Sequence, residues 1–130
     1  MDIHNKVPIH TDGAPAALGP YSQGVSYGGL VFTSGQIPID SATGLLETGD
    51  ARLAALRCLE NTAAILRAAG SDIDKILKIT VCLADMSDFD AMNEAFSAFF
   101  AGAAPPARTC FQAAALPRGA RMEIEAIAYK

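Results

Sequence analysis

Two stretches of this chain carry apolar side chains at helical spacing, and every other patterned stretch reads as strand. A fold built this way has more sheet face than its own helices can cover. In residues 50–69, Leu56, Leu59, Ala63 and Leu66 form one stripe, Arg57, Glu60, Asn61 and Arg67 are assigned to the other side, and Gly70 is placed to stop the helix. In the second stretch Phe89, Met92, Phe96 and Phe99 share a stripe behind Ser87 and Asp88, residue types that cap helix N-termini, and Gly102 and Pro105-Pro106 close it. An aromatic stripe of this kind reads as core. Each helix has one apolar stripe, so both are expected on one side of a single mixed sheet.

The strands come from alternation and turn chemistry. Residues 21–27 and 30–37 flank Gly28-Gly29, a pair suited to a two-residue hairpin turn. Pairing Tyr27 with Leu30 puts Tyr21, Gln23 and Val25 on one face with Phe32, Ser34 and Gln36. Residues 40–44 read as a loop, and residues 45–47 as a possible short strand. Residues 76–84 alternate Leu77, Ile79, Val81 and Leu83 with Lys78, Thr80 and Cys82. Residues 107–116 and 120–129 are read as a closing hairpin through Pro117-Arg118-Gly119. The expected order is β-β-(β)-α-β-α-β-β, a single α/β domain over residues 14–130 behind a tail at residues 1–13. The uncovered sheet face predicts a homo-oligomer in which sheets of several copies pack together; a monomer with one solvated sheet face is the alternative.

Composition removes several function classes. With 51% apolar and 18% charged residues, the 130-residue chain buries a core and is not disordered. A net charge of −4 has the wrong sign for a phosphate backbone, so nucleic acid is not the expected partner. No stretch approaches the roughly 20 consecutive apolar residues of a membrane span, and no secretion signal opens the chain, so a cytoplasmic location is expected. Cys58, Cys82 and Cys110 are odd in number and widely spaced, which predicts reduced thiols rather than disulfides or a zinc site. His4 and His10 are read as polar tail residues, not as a metal site.

The residues able to carry chemistry cluster near the C-terminus. One face of residues 107–116 carries Arg108, Cys110 and Gln112; one face of the last strand carries Arg121, Glu123 and Glu125. A four-residue connection, residues 116–119, pairs Gln112 with Glu123 and Cys110 with Glu125 and puts all six on one side; a three-residue connection separates them, and the first is expected. Arg108 directly follows the Pro-Pro-Ala run, and a guanidinium held there suits two parallel hydrogen bonds to a carboxylate. Glu123 beside it could take a proton from water, which allows hydrolysis of a small acid without metal or covalent nucleophile. A cross-strand ion-pair ladder on a solvated face is the competing reading.

At these residues the sequence resembles the reactive intermediate deaminase family, also called Rid or YjgF. The likeness runs from about Ala14 to Ala128. It is carried by Gly19-Pro20-Tyr21-Ser22-Gln23, Ser34-Gly35-Gln36-Ile37-Pro38, Asn61, Asp88-Phe89 leading to Asn93, Pro106-Ala107-Arg108 and Glu123-Ile124-Glu125-Ala126-Ile127-Ala128. The resemblance implies a chorismate-mutase-like homotrimer, with sheets forming an inner barrel, helices outside and sites in the clefts between subunits. It implies hydrolysis of enamines and imines such as 2-iminopropanoate and 2-iminobutanoate to 2-oxo acids and ammonia, with no cofactor. By the resemblance Arg108 holds the substrate carboxylate, Glu123 rather than Glu125 activates water, Tyr21 and Ser34 orient the substrate or the water, and Asn93 and Cys110 support them. A member that binds a 2-oxo acid without turnover, as a sensor or chaperone-like protein, is the alternative from another class. RNA cleavage, associated with some relatives, is disfavoured by the acidity.

Overall fold

The computed structural model describes residues 5–130, and His4 lies outside them. Six strands form one sheet in the order β1-β2-β3-β6-β4-β5, where β1 is Val7–Ile9, β2 Gly24–Tyr27, β3 Leu30–Thr33, β4 Ile76–Leu83, β5 Ala107–Gln112 and β6 Met122–Tyr129. Helices α1 (Ala51–Ala68) and α2 (Phe89–Phe99) pack on one face, as their single stripes require. The core between them contains Val31, Ile79, Val81, Leu83, Ile124 and Ala128 from the sheet and Leu59, Leu66, Met92 and Phe96 from the helices. No helix among the described residues is long and apolar enough to cross a membrane.

Local sequence explains the elements it dictates. Tyr27 pairs with Leu30 across Gly28-Gly29, and Gly28 takes φ 59°. Asp50 caps α1 by accepting from the Leu53 N–H, and Gly70, at φ 87°, ends it. The 45–47 stretch makes a single bridge, Ile39 to Leu46. Val7–Ile9, within the stretch read as a tail, pairs with β2 as an edge strand.

Three local expectations are corrected. Asn61 is buried, at 5% exposure, because its amide donates to the carbonyls of Ile39 at 2.9 Å and Ile37 at 3.4 Å. Leu77 is 48% exposed instead of facing the core, because a bulge between Ile76 and Lys78 makes it the extra residue and turns Ile76 inward. Asp88 makes no side-chain cap on α2; the preceding turn is capped by Asp85, which accepts from Ser87 N–H. The Asp88 carboxylate is taken by Arg121, whose Nε and Nη2 each donate to it at 3.0 Å.

That bidentate pair ties the start of β6 to the start of α2, and Arg121 Nη1 also reaches Thr48 O at 3.4 Å. Asp88 is 8% exposed, so removing its partner leaves a charge out of water. Arg121→Ala is expected to lower unfolding stability by about 2–3 kcal/mol in urea titration, somewhat below the ~3–5 kcal/mol typical of fully buried pairs because Arg121 keeps solvent contact.

The largest correction concerns the C-terminal strands, which do not form a hairpin. β5 lies parallel to β4, reached through α2 as a crossover, and β6 inserts antiparallel between β3 and β4. Neither expected pair, Gln112 with Glu123 or Cys110 with Glu125, exists; Glu123 stands opposite Cys82 and Glu125 opposite Thr80.

Candidate functional site

Where the chain leaves β3 and β6 begins, a cavity of about 290 Å³ is lined by Leu18, Tyr21, Ser34, Gly35, Pro117 and Glu123. Its polar groups are oriented by backbone. The Leu18 N–H donates to Tyr21 Oη at 2.9 Å, which occupies a phenol lone pair and leaves the O–H to donate elsewhere. Ser34 Oγ donates to Ser22 O at 2.6 Å, which leaves its oxygen as an acceptor. Burial raises the Glu123 pKa, and the neighbouring Glu125 raises it further. Donor, acceptor and a proton-accepting carboxyl therefore share one small space.

Gln23 and Gln36, expected on this face, are turned away from it. Gln23 is buried, with its amide donating to Thr11 O, Ala14 O and Pro15 O and accepting from Thr11 N–H. It holds the segment that carries Leu18 toward the cavity. Gln36 is also buried, and its backbone bridges Ile124.

Arg108 sits elsewhere. A groove of about 730 Å³ between α2 and β5 is lined by Asn93, Phe96, Ser97, Phe100, Pro106 and Arg108. The guanidinium lies over the rings of Phe96 and Phe89, 5.0 and 5.5 Å from their centroids, and Nη1 donates to Met92 Sδ at 3.3 Å. The aromatic stripe of α2 thus serves two ends: Met92 and Phe96 are core, and with Phe89 they seat the arginine. Cys110, half-buried on the same face, packs on the main core, and burial raises its thiol pKa.

The parallel register decides how these groups relate. Arg108 and Cys110 pair with Ile79 and Val81, whose side chains face the helices; Glu123 pairs with Cys82, the neighbour of Val81, which points to the opposite face. Arg108 and Glu123 therefore stand on opposite faces of the sheet with β4 between them, which overturns the shared face expected from a hairpin. One chain therefore keeps two separate groups of candidate residues: a carboxyl with Tyr21 and Ser34, and a cation with Asn93.

The family profile described as Endoribonuclease L-PSP matches residues 11–130. The mouse 2-iminobutanoate/2-iminopropanoate deaminase is 48% identical over 120 residues, covering 92% of this chain and 88% of that protein. The crystal structure of the yjgF gene product of Escherichia coli superposes with a TM-score of 0.91 at 43% identity, covering 95% of this chain and 98% of that one. The chain belongs to the Rid/YjgF family. Another structure in this fold, E. coli TdcF with bound serine, matches at TM-score 0.91 and 46% identity over 95% of this chain and 98% of that one.

Within this Rid chain, geometry separates the two candidate carboxylates. Glu125 opens into a different hollow, with Phe32, Thr33, Lys78, Thr80 and Ile127, whereas Glu123 faces Tyr21 and Ser34. Sequence reasoning did not find Leu18, whose contribution is a backbone N–H. Nor did it find the seat of Arg108, although the spacing of Phe89, Met92 and Phe96 marks the helix face that forms it.

Proposed function

We propose that this chain hydrolyses small 2-imino acids, such as 2-iminopropanoate and 2-iminobutanoate, to 2-oxo acids and ammonia, in sites that neighbouring copies of a homotrimer build together. The observation that carries the reading is the division of the groups. A carboxyl pocket and a cationic groove, each lacking the other's charge, lie on opposite faces of a sheet whose edge strand is β5. Opposed half-sites are joined when one copy offers its β5 edge to the open face of another. That open face is partly apolar, with Phe32 at 37% and Phe111 at 46% exposure, which supports burial against another copy.

In the joined site, Arg108 of one copy grips the substrate carboxylate through its fork of N–H donors. Glu123 of the other takes a proton from water as the water oxygen bonds to the imine carbon. The imine enters protonated on nitrogen, so this addition gives a neutral carbinolamine; Glu123 returns the proton to its nitrogen, the C–N bond breaks to release ammonia, and the proton left on the carbonyl oxygen passes to that ammonia, giving the 2-oxo acid and ammonium. Ser34, as acceptor, suits the N–H of the imine, and Tyr21, as donor, suits the developing hydroxyl. The net charge of −4 speaks against RNA as the substrate.

The test generates iminopropanoate with an amino-acid oxidase and follows its decay. Acceleration above the spontaneous rate at catalytic protein concentration supports the reading; a rate unchanged by the protein sinks it. A second reading, binding without turnover, has one observation in its favour: the relative solved with serine holds an amino acid that has no imine. Calorimetric binding of a 2-oxo acid with no effect on imine decay selects it.

A further inference from the structure

We propose that Gly35 is a positioning residue for Glu123: the outer half of the glutamate side chain can enter the cavity only because residue 35 has no side chain. A Cβ built on Gly35 falls 2.0 Å from Glu123 Oε1, 2.7 Å from Cδ and 2.9 Å from Cγ. All three distances lie inside van der Waals contact. Because three consecutive atoms are involved, turning the carboxylate about its last bond does not clear the methyl; the whole side chain must leave. Gly35 is also absent from the glycines at positive φ, so space rather than backbone conformation is what demands glycine here.

The sheet register explains why backbone comes so close. Between the pairs Phe32 with Ile127 and Gln36 with Ile124, three residues, Thr33 to Gly35, oppose two, Glu125 and Ala126. This is a bulge. Thr33 Oγ1 accepts the Ala126 N–H at 3.0 Å across the irregular stretch, and backbone pairing resumes when Gln36 N–H donates to Ile124 O at 2.7 Å. The bulged backbone lies beneath the Glu123 side chain, and a residue without Cβ at that point lets the carboxyl lie along it, facing Tyr21 and Ser34. The cavity thus depends on a ladder irregularity coupled to a single glycine.

The catalytic part of this inference rests on the proposed role of Glu123; the steric part does not. Gly35→Ala is expected to lower kcat for imine hydrolysis ~100-fold while KM stays within about threefold, because Arg108 and its carboxylate grip are untouched. Gly29→Ala, where a methyl meets nothing within 4 Å, controls for the loss of a glycine and is expected to keep parental kinetics. A thermal-melt cycle tests the contact without turnover. Gly35→Ala lowers Tm beside Glu123, but in a Glu123→Ala background the same change leaves Tm unchanged or raises it, since alanine restricts the unfolded chain more than glycine does. Equal Tm losses in both backgrounds, or parental Tm and kcat in Gly35→Ala, overturn the proposal. If the parent protein fails to hydrolyse imines, the functional reading falls and the melt cycle still decides whether Gly35 makes room for Glu123.

Discussion

Arg108→Ala and Glu123→Gln, each nearly inactive alone, are expected to recover about a quarter of parental activity when mixed in equal amounts, unfolded and reassembled. In a closed ring of copies where each site takes its arginine from one copy and its glutamate from the next, random mixing leaves about one site in four with both groups intact. The expectation follows from the strand order. β4 separates β5 from β6, and the register points Arg108 and Glu123 to opposite faces. Alone, Arg108→Ala should reduce kcat/KM by roughly 30- to 1,000-fold, the effect of losing about 2–4 kcal/mol from a charge-assisted carboxylate contact. Arg108→Lys keeps the charge but not the paired donors, so an intermediate loss is expected. Mixtures no more active than the separate variants, in samples shown to have exchanged subunits, would mean that no site is shared between chains.

The same strand order shows where reading the chain by itself stops. Elements defined by neighbours in sequence were legible. Gly28-Gly29 announces its hairpin, Asp50 and Gly70 bracket α1, and the two apolar stripes put both helices on one face. Pairings between distant segments were not. Residues 107–112 and 122–129 are close in sequence and both alternate, so a hairpin is the local solution; β4, more than twenty residues upstream of β5, instead pairs with both strands. What decides this is backbone pairing along both edges of β4 together with burial of its Ile79, Val81 and Leu83 face against the helices, which no turn residue reports. Bulges are hidden for a related reason. Leu77 looks like one more inward residue of an alternating run, and only the partner strand reveals that it is the extra one. For the site, residue types were legible and faces were not. Arg108, Glu123, Tyr21 and Ser34 could be named, yet a wrong register would have united within one chain groups that lie on opposite faces. Asn61 and Asp88 show the converse: polar residues placed on a surface or a cap are drawn inward by partners at Ile37, Ile39 and Arg121 that are remote in sequence.

Glu123→Gln is expected to lower kcat by about 100- to 10,000-fold, the usual range for removing a general base, and yet to give a more heat-stable protein. In one chain burial, then the charge of Glu125, raises the Glu123 pKa, and neither influence is a cation. A carboxyl raised in this way contributes to stability in its protonated form. That contribution is fully present below its unfolded-state pKa and is lost as pH rises through the higher folded-state value. Above that value the folded protein carries an ionised group that is better solvated in the unfolded chain, and glutamine removes that cost. The comparison is cleanest in an Arg108→Ala background, where no guanidinium from another copy opposes the effect. There Glu123→Gln should raise Tm at pH 7, with the gain shrinking as pH falls through the raised folded-state value and gone below the ordinary glutamate range. Activity has the matching sign. In the proposed enzyme–substrate complex the substrate carboxylate occupies Arg108, so the kcat profile should lose activity toward acid at a pH above the ordinary glutamate value, as the base takes up its proton. An acid limb absent from the parent profile would remove Glu123 from the water-activating role. A limb present in the parent and lost in Glu123→Gln, together with the higher melting temperature, is the outcome that a half-buried base in the proposed shared cleft requires.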